Sequence, residues 1–220
     1  GMNWAIANKC MVISMSLGAQ IPVQPSYTAA GSAALANGCL IVAAAGNAGP
    51  SSGTVESPGI DPYVITVGST DDVQTLALAD DSVAWFSSWG TPAGSTARPD
   101  LIVDGRRIVS LRVPGSTIDT ELPDHVVTAG NGTTFTRLSG TSMSTAVVSG
   151  GVALLLQRNP NLTPDQVKKI LMSTAQRFGN GSLTALTGVY KYATGAAYPT
   201  TTYQDSNYWV DVLFSTVVTP

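Results

Sequence analysis

The chain is 220 residues long and 44% hydrophobic, enough for one sizeable core with a small appendage and too apolar for a disordered segment. Only 11% of its residues are charged, under half of the roughly 25% usual in soluble proteins, and Gly, Ala, Ser and Thr take their place. A net charge of -3, with Arg106-Arg107 and Lys168-Lys169 as isolated basic pairs, leaves no phosphate-tracking surface and excludes nucleic acid as a partner.

Residues 10–17 and 39–45 are nearly continuous apolar runs bounded by glycine, the pattern of strands buried on both faces of a parallel sheet. Cys10 and Cys39 head these runs, a placement compatible with two free thiols or with one disulfide. Residues 26–37 between them are alanine-rich, open on the capping residue Ser26 and stop at Gly38, which predicts the crossover helix of a right-handed βαβ unit. Residues 63–67 predict a third strand and residues 83–87 a fourth. Two alternating runs around Asp104-Gly105, within residues 101–111, predict a hairpin. A helix is expected over residues 146–158. Thr163-Pro164-Asp165-Gln166 then supplies a capping box with proline at the first helical position, starting a helix that runs to about Thr174. Beyond about Phe178 the helical periodicity stops, and β-branched and aromatic residues gather at 208–218, predicting one or two strands. The fold class is α/β: a mostly parallel sheet flanked by helices, followed by a short β-rich tail.

No stretch reaches the about 18 apolar residues of a membrane span, so no membrane partner is expected. No basic segment followed by an apolar run and a small-residue cleavage site stands at the start, and Gly1 ahead of Met2 reads as an added residue. The low charge content suits an extracellular or cell-surface protein.

The chemistry concentrates in Ser139-Gly140-Thr141-Ser142-Met143-Ser144-Thr145, followed by the apolar run that opens at Ala146. Ser142 falls between a glycine turn and a helix N-terminus, where backbone N–H groups and the helix dipole favour negative charge. That is a seat for a nucleophile, and a serine nucleophile needs a base within hydrogen-bond reach. The one histidine, His125, lies in a polar stretch between Pro123-Asp124 and Gly130-Asn131-Gly132. An exposed loop histidine is the plainer reading; the alternative is a base recruited for an esterase-like hydrolase. Asp71-Asp72 and Asp80-Asp81 carry oxygens of the kind calcium takes, but without a ligand spacing, so solvated loops are expected and no metal or cofactor is assigned. Lys168 and Lys169 invite a Ser-Lys dyad, yet their separate amphipathic helix predicts surface exposure.

Three separated segments point one way. Ser14-Met15-Ser16-Leu17-Gly18, Ala43-Ala44-Ala45-Gly46-Asn47 and Ser139-Gly140-Thr141-Ser142-Met143 stand in the order and approximate spacing of the subtilisin-like serine peptidases. Ser57-Pro58-Gly59, Val64-Ile65-Thr66-Val67-Gly68 and Phe86-Ser87-Ser88-Trp89-Gly90 resemble the connecting stretches of that family. The resemblance covers roughly residues 4–176. It implies that Ser142 is the nucleophile, that the Asn47 amide donates to the oxyanion, that Ser16, Leu17 and Gly18 form one edge of the substrate groove, and that Ala44, Ala45 and Gly46 line the pocket for the side chain before the scissile bond. Subtilisins carry Asp, His and Ser in that chain order, and the Asp-bearing strand and His-bearing helix are absent from these residues. Ser144, Ala146 and Val147 stand where the family usually has Ala, Pro and His, and Asp104 replaces the usual Pro before Gly105. Residues 178–220, with Gly188-Val189-Tyr190-Lys191-Tyr192 and Asn207-Tyr208-Trp209-Val210-Asp211-Val212, resemble instead the end of a β-sandwich module of secreted bacterial proteins.

The resemblance leads to residues 1–177 as the C-terminal part of a subtilisin-like catalytic domain and 178–220 as its tail. Peptide or protein is the implied substrate, and activity of these residues alone is expected to fail for lack of the Asp and His. A missing N-terminal half, or self-association through exposed sheet edges, is the implied partner. Two alternatives stay open: a non-catalytic pseudo-peptidase that binds or self-assembles, and the esterase-like hydrolase using His125.

Overall fold

The computed structural model describes residues 1–22, 25–76, 80–94 and 98–177, together with the pair 186–187. A short helix α1 (Met2–Ala7) leads into β1 (Val12–Met15), α2 (Pro25–Ala36), β2 (Leu40–Ala44) and β3 (Ile65–Asp71). The three strands are parallel, with Val12 opposite Leu40 and Val42 opposite Ile65. β4 (Ser82–Val83) returns antiparallel on the last residues of β3, and β5 (Leu101–Asp104) lies parallel to β3. Next come β6 (Ile108–Leu111), α3 (Thr117–Glu121), β7 (Val126–Thr128) and β8 (Thr134–Leu138), whose strands form a separate antiparallel sheet in the order β6-β8-β7. The long helix α4 (Thr141–Arg158) and α5 (Pro164–Thr174) follow, then the two-residue strands β9 (Gln176–Arg177) and β10 (Leu186–Thr187). The large sheet runs β1-β2-β3-β5-β10-β9.

Both faces of this sheet are covered, which is why β2 and β3 are buried at every position. On one face Leu40, Val42, Ile65, Val67 and Leu101 pack against Val148, Val152 and Leu156 of α4 and Val167 and Leu171 of α5. On the other, Cys39, Ile41, Ala43 and Val64 meet Ala34 of α2, with Met2 and Ile6 of α1 alongside. α5 begins with the expected box: Gln166 N–H donates to the Thr163 hydroxyl at 3.3 Å while Thr163 N–H donates to Gln166 Oε1 at 2.9 Å.

Local signals mislead at several places. Residues 101–111 are not a hairpin, because β5 pairs with β3 and β6 belongs to the other sheet. Gly105 is held by distant partners: its N–H donates to Thr70 O and its carbonyl accepts from Gly140 N–H at 2.8 Å. The strand over 83–87 stops at Val83, since Ser87 N–H turns back to Ala84 O and Trp85 swings into solvent. β1 is an outer strand of half-exposed residues, not one buried on both faces. α2 starts at Pro25, placing Ser26 inside the helix. α4 starts at Thr141, ahead of the apolar run, because its polar first turn is buried and bonded: Ser144 Oγ donates to Val103 O at 3.0 Å and Thr145 Oγ1 to Thr141 O at 2.7 Å. Both cysteines are free, and burial, with the nearby Cys10 adding to it, pushes the Cys39 thiol above its ordinary range. The strands expected at 208–218 lie outside the described residues.

Candidate active site

The carboxyl end of β2 and the first turn of α4 are laced together. After Ala45 the chain turns at Gly46, whose φ of 107° is a left-handed conformation that a Cβ would disfavour. Gly46 N–H donates to Thr141 Oγ1 at 3.2 Å. Thr141 in turn gives both its N–H and its hydroxyl to Asn47 Oδ1, at 2.9 and 3.1 Å. The Asn47 carbonyl oxygen is thereby committed inward. Its amide Nδ2 has no acceptor among the described residues, and the side chain is exposed.

Ser142 follows Thr141 in the first turn of α4, behind Gly140, which offers the helix no side-chain cap. The N–H groups of this turn therefore carry the helix's partial positive charge beside the Ser142 hydroxyl. That hydroxyl donates to the Ser16 carbonyl at 3.3 Å, and Ser16 Oγ donates to the Ser142 carbonyl at 2.8 Å. A carbonyl accepts a hydrogen bond but cannot take the proton, so the hydroxyl is held neutral. Gly105 makes room for the turn: a Cβ there would sit 2.1 Å from Ser144 Oγ and 2.8 Å from Gly140 O.

Ser16, Leu17 and Gly18 are all exposed, Leu17 by 58%, and they continue from β1 along the front of the site. Ala19 closes this edge through a two-bond bridge with Ser57, at 2.9 and 3.0 Å. Ala44, Ala45 and Gly46 are buried behind it. The Ser142, Asn47, Ser16 and Gly46 segments thus converge at one end of the parallel sheet. Glu56, which sequence reasoning did not single out, lies between the 16–18 edge and the 44–46 wall. A Cβ on Gly18 would be 2.3 Å from its Oε2, and one on Gly46 would be 2.6 Å from its Cδ.

No other candidate is hydrogen-bonded to the Ser142 hydroxyl among the described residues. His125 closes a 3-10 turn (Pro123–His125) ahead of β7; no hydrogen bond among the described residues joins it to Ser142, and its Nδ1 is buried without a partner. Lys169 is exposed as expected, whereas Lys168 is half-buried. Its Nζ donates to Val64 O at 2.8 Å and to Asp100 Oδ2 at 2.9 Å, and burial lowers its pKa against the raising influence of Asp100. Asp71 is buried, which raises its pKa, but hydrogen bonds from Arg106 and the Val73 N–H and the charges of Arg106 and Arg107 outweigh that and hold it below the usual carboxylate range. Asp81 is pushed up to about 6 by burial first, and then by the carboxylates of Asp104, Asp72, Asp80 and Asp71. Among the described residues no group of three or more His, Cys, Asp or Glu is arranged to hold a metal. No helix among them is long and apolar enough to cross a membrane.

A covered parallel sheet with a serine in the first turn of a helix and a side-chain amide bonded to the same turn is the scaffold of a subtilisin-like serine peptidase. The model of the subtilase family matches residues 1–195, and the chain belongs to that family. It is 43% identical over 141 residues to serine protease AprX of Bacillus subtilis, covering 64% of this chain and 31% of that protein. It is 33% identical over 182 residues to subtilisin E of the same organism, covering 82% of this chain and 39% of that protein. Among solved structures, Sphericase superposes with a TM-score of 0.61 at 29% identity, over 79% of this chain and 52% of that one. A cold-adapted subtilisin-like serine proteinase gives 0.57 at 30% identity, over 85% and 57%. The chain spans about a third of the length of AprX and 39% of subtilisin E.

Proposed function

We propose that this chain carries the nucleophile, the oxyanion site and the substrate groove of a subtilisin-type endopeptidase, with the proton-handling Asp and His supplied from outside these 220 residues. The observation that carries this reading is the pair of bonds from Thr141 to Asn47 Oδ1. They tie the amide oxygen to the turn that carries Ser142 and leave the amide N–H without an acceptor among the described residues, available to the carbonyl oxygen of a substrate as it becomes negative. Ser142 attacks the peptide carbonyl; its proton goes to the external histidine, which returns it to the leaving amine. Asn47 and the Ser142 N–H at the start of α4 hold the oxyanion. The substrate backbone pairs with the open edge at Ser16, Leu17 and Gly18, as an added strand does. Residues 1–177 are read as this part of the catalytic domain, and the low charge content supports an extracellular or cell-surface location.

The test is a burst assay with p-nitrophenyl acetate and a peptidase assay on the 220-residue chain. Both are expected to stay at the level of the Ser142→Ala variant. Adding a polypeptide with the Asp-bearing strand and His-bearing helix of a subtilisin is expected to raise peptidase activity through Ser142. A burst from the chain alone that Ser142→Ala removes overturns the assignment of the base.

A second reading is self-association. β1 is an outer strand, and Met11, Leu17 and Ile21 beside it are exposed, a surface suited to pairing with another chain. Light scattering that returns a monomer removes this reading.

A further inference from the structure

We propose that Glu56 makes the pocket behind Gly46 select a cationic side chain, so that the substrates are peptides with arginine or lysine immediately before the scissile bond; this rests on the groove reading above. The Glu56 backbone is pinned between the two walls. Its N–H donates to Ala45 O at 2.9 Å, its carbonyl accepts from Ile60 N–H at 3.1 Å, and the next residue, Ser57, makes the bridge to Ala19. The side chain then has one course, across the faces of Gly18 and Gly46, where the lack of a Cβ leaves room for the carboxylate.

No ion pair or hydrogen bond to this carboxylate is found among the described residues, whereas Asp71, Asp100 and Asp119 are each matched to Arg or Lys. A half-buried carboxylate facing the groove without a counter-ion decides what the groove can take. An apolar side chain laid over it strips water from a charge and offers nothing back, and an acidic one adds repulsion. An arginine or lysine side chain packs its methylene stem over the two glycine faces and brings its head to Glu56, with arginine able to give two parallel bonds.

Isothermal titration calorimetry on the 220-residue chain tests this, with the amides of acetyl-Ala-Ala-Pro-Arg, -Phe and -Glu as probes. The arginine peptide is expected to bind about tenfold tighter than the phenylalanine peptide at low salt, equivalent to about 1.4 kcal/mol. Glu56→Gln is expected to erase that preference and to tighten phenylalanine-peptide binding as the desolvation of the charge is relieved, which also reports that the variant is folded. Glu56→Arg is expected to favour the glutamate peptide. Equal binding of arginine and phenylalanine peptides, or an arginine preference that survives Glu56→Gln, overturns the role of Glu56 and leaves the groove reading standing. Failure of all three peptides to bind overturns both.

Discussion

The turn that holds Ser142 and the edge that faces it differ in how they are fixed. Thr141, Ser144 and Thr145 are fully buried and bonded to Asn47, Val103 and the helix itself, on top of the most buried strands of the sheet. Ser16, Leu17 and Gly18 are exposed on the segment that continues outer strand β1, joined to that turn by the Ser16–Ser142 bonds. The contrast follows from what each part has to do. Reacting atoms must be held within a fraction of an ångström, whereas an edge that adds a substrate strand must keep its backbone groups free.

The sharpest way to break the contrast is to remove its foundation. Leu101→Ala empties a fully buried site between β3 and α4 and is expected to cost about 2–5 kcal/mol in urea unfolding, with little of the cavity collapsing. Gly105→Ala attacks the turn itself. Its new Cβ would fall 2.1 Å from Ser144 Oγ and 2.4 Å from Ser69 Oγ, so about 1–3 kcal/mol is expected from overpacking, together with shifted amide resonances for residues 140–145 in NMR spectra.

A smaller effect is expected at the acidic corner beside Asp104. Asp81 has a folded pKa of about 6, raised from 3.8, so the native state holds its proton more tightly than the unfolded chain does. Its contribution is therefore present in acid and lost as pH rises from about 4 to about 6. Asp81→Asn is expected to be more stable than the parent at pH 7, with the gap closing below about pH 4. Since Asp81 is only half-buried, solvent screening limits the gain to about 0.5 kcal/mol. Leu17→Ala, on the open edge, is expected to leave stability within about 0.5 kcal/mol of the parent while weakening peptide binding, which calorimetry separates.

The parts legible in the sequence are those whose cause is local or periodic. Continuous apolar runs at 39–45 and 63–67 located the inner strands, and Thr163 with Gln166 located the start of α5. Asp104-Gly105 looked like a hairpin because the pattern is read over neighbouring residues, while Gly105 is held by Thr70 and Gly140. Lys168 was expected at the surface because helix periodicity does not report an acceptor such as Asp100, brought to it by the sheet. The role of Glu56 is illegible in the sequence for the same reason. Nothing near it in the chain signals that Gly18 and Gly46 meet around its carboxylate, and only the pairing of Ala19 with Ser57 and of Glu56 with Ala45 brings them together.

The most direct test of the site is a crystal structure of the chain with an arginine-containing peptide amide bound. The expected result is a peptide lying along residues 16–18 with one carbonyl carbon about 3 Å from Ser142 Oγ and its oxygen about 3 Å from Asn47 Nδ2. A peptide seated elsewhere, or one whose carbonyl oxygen beside Ser142 turns away from Asn47, contradicts it.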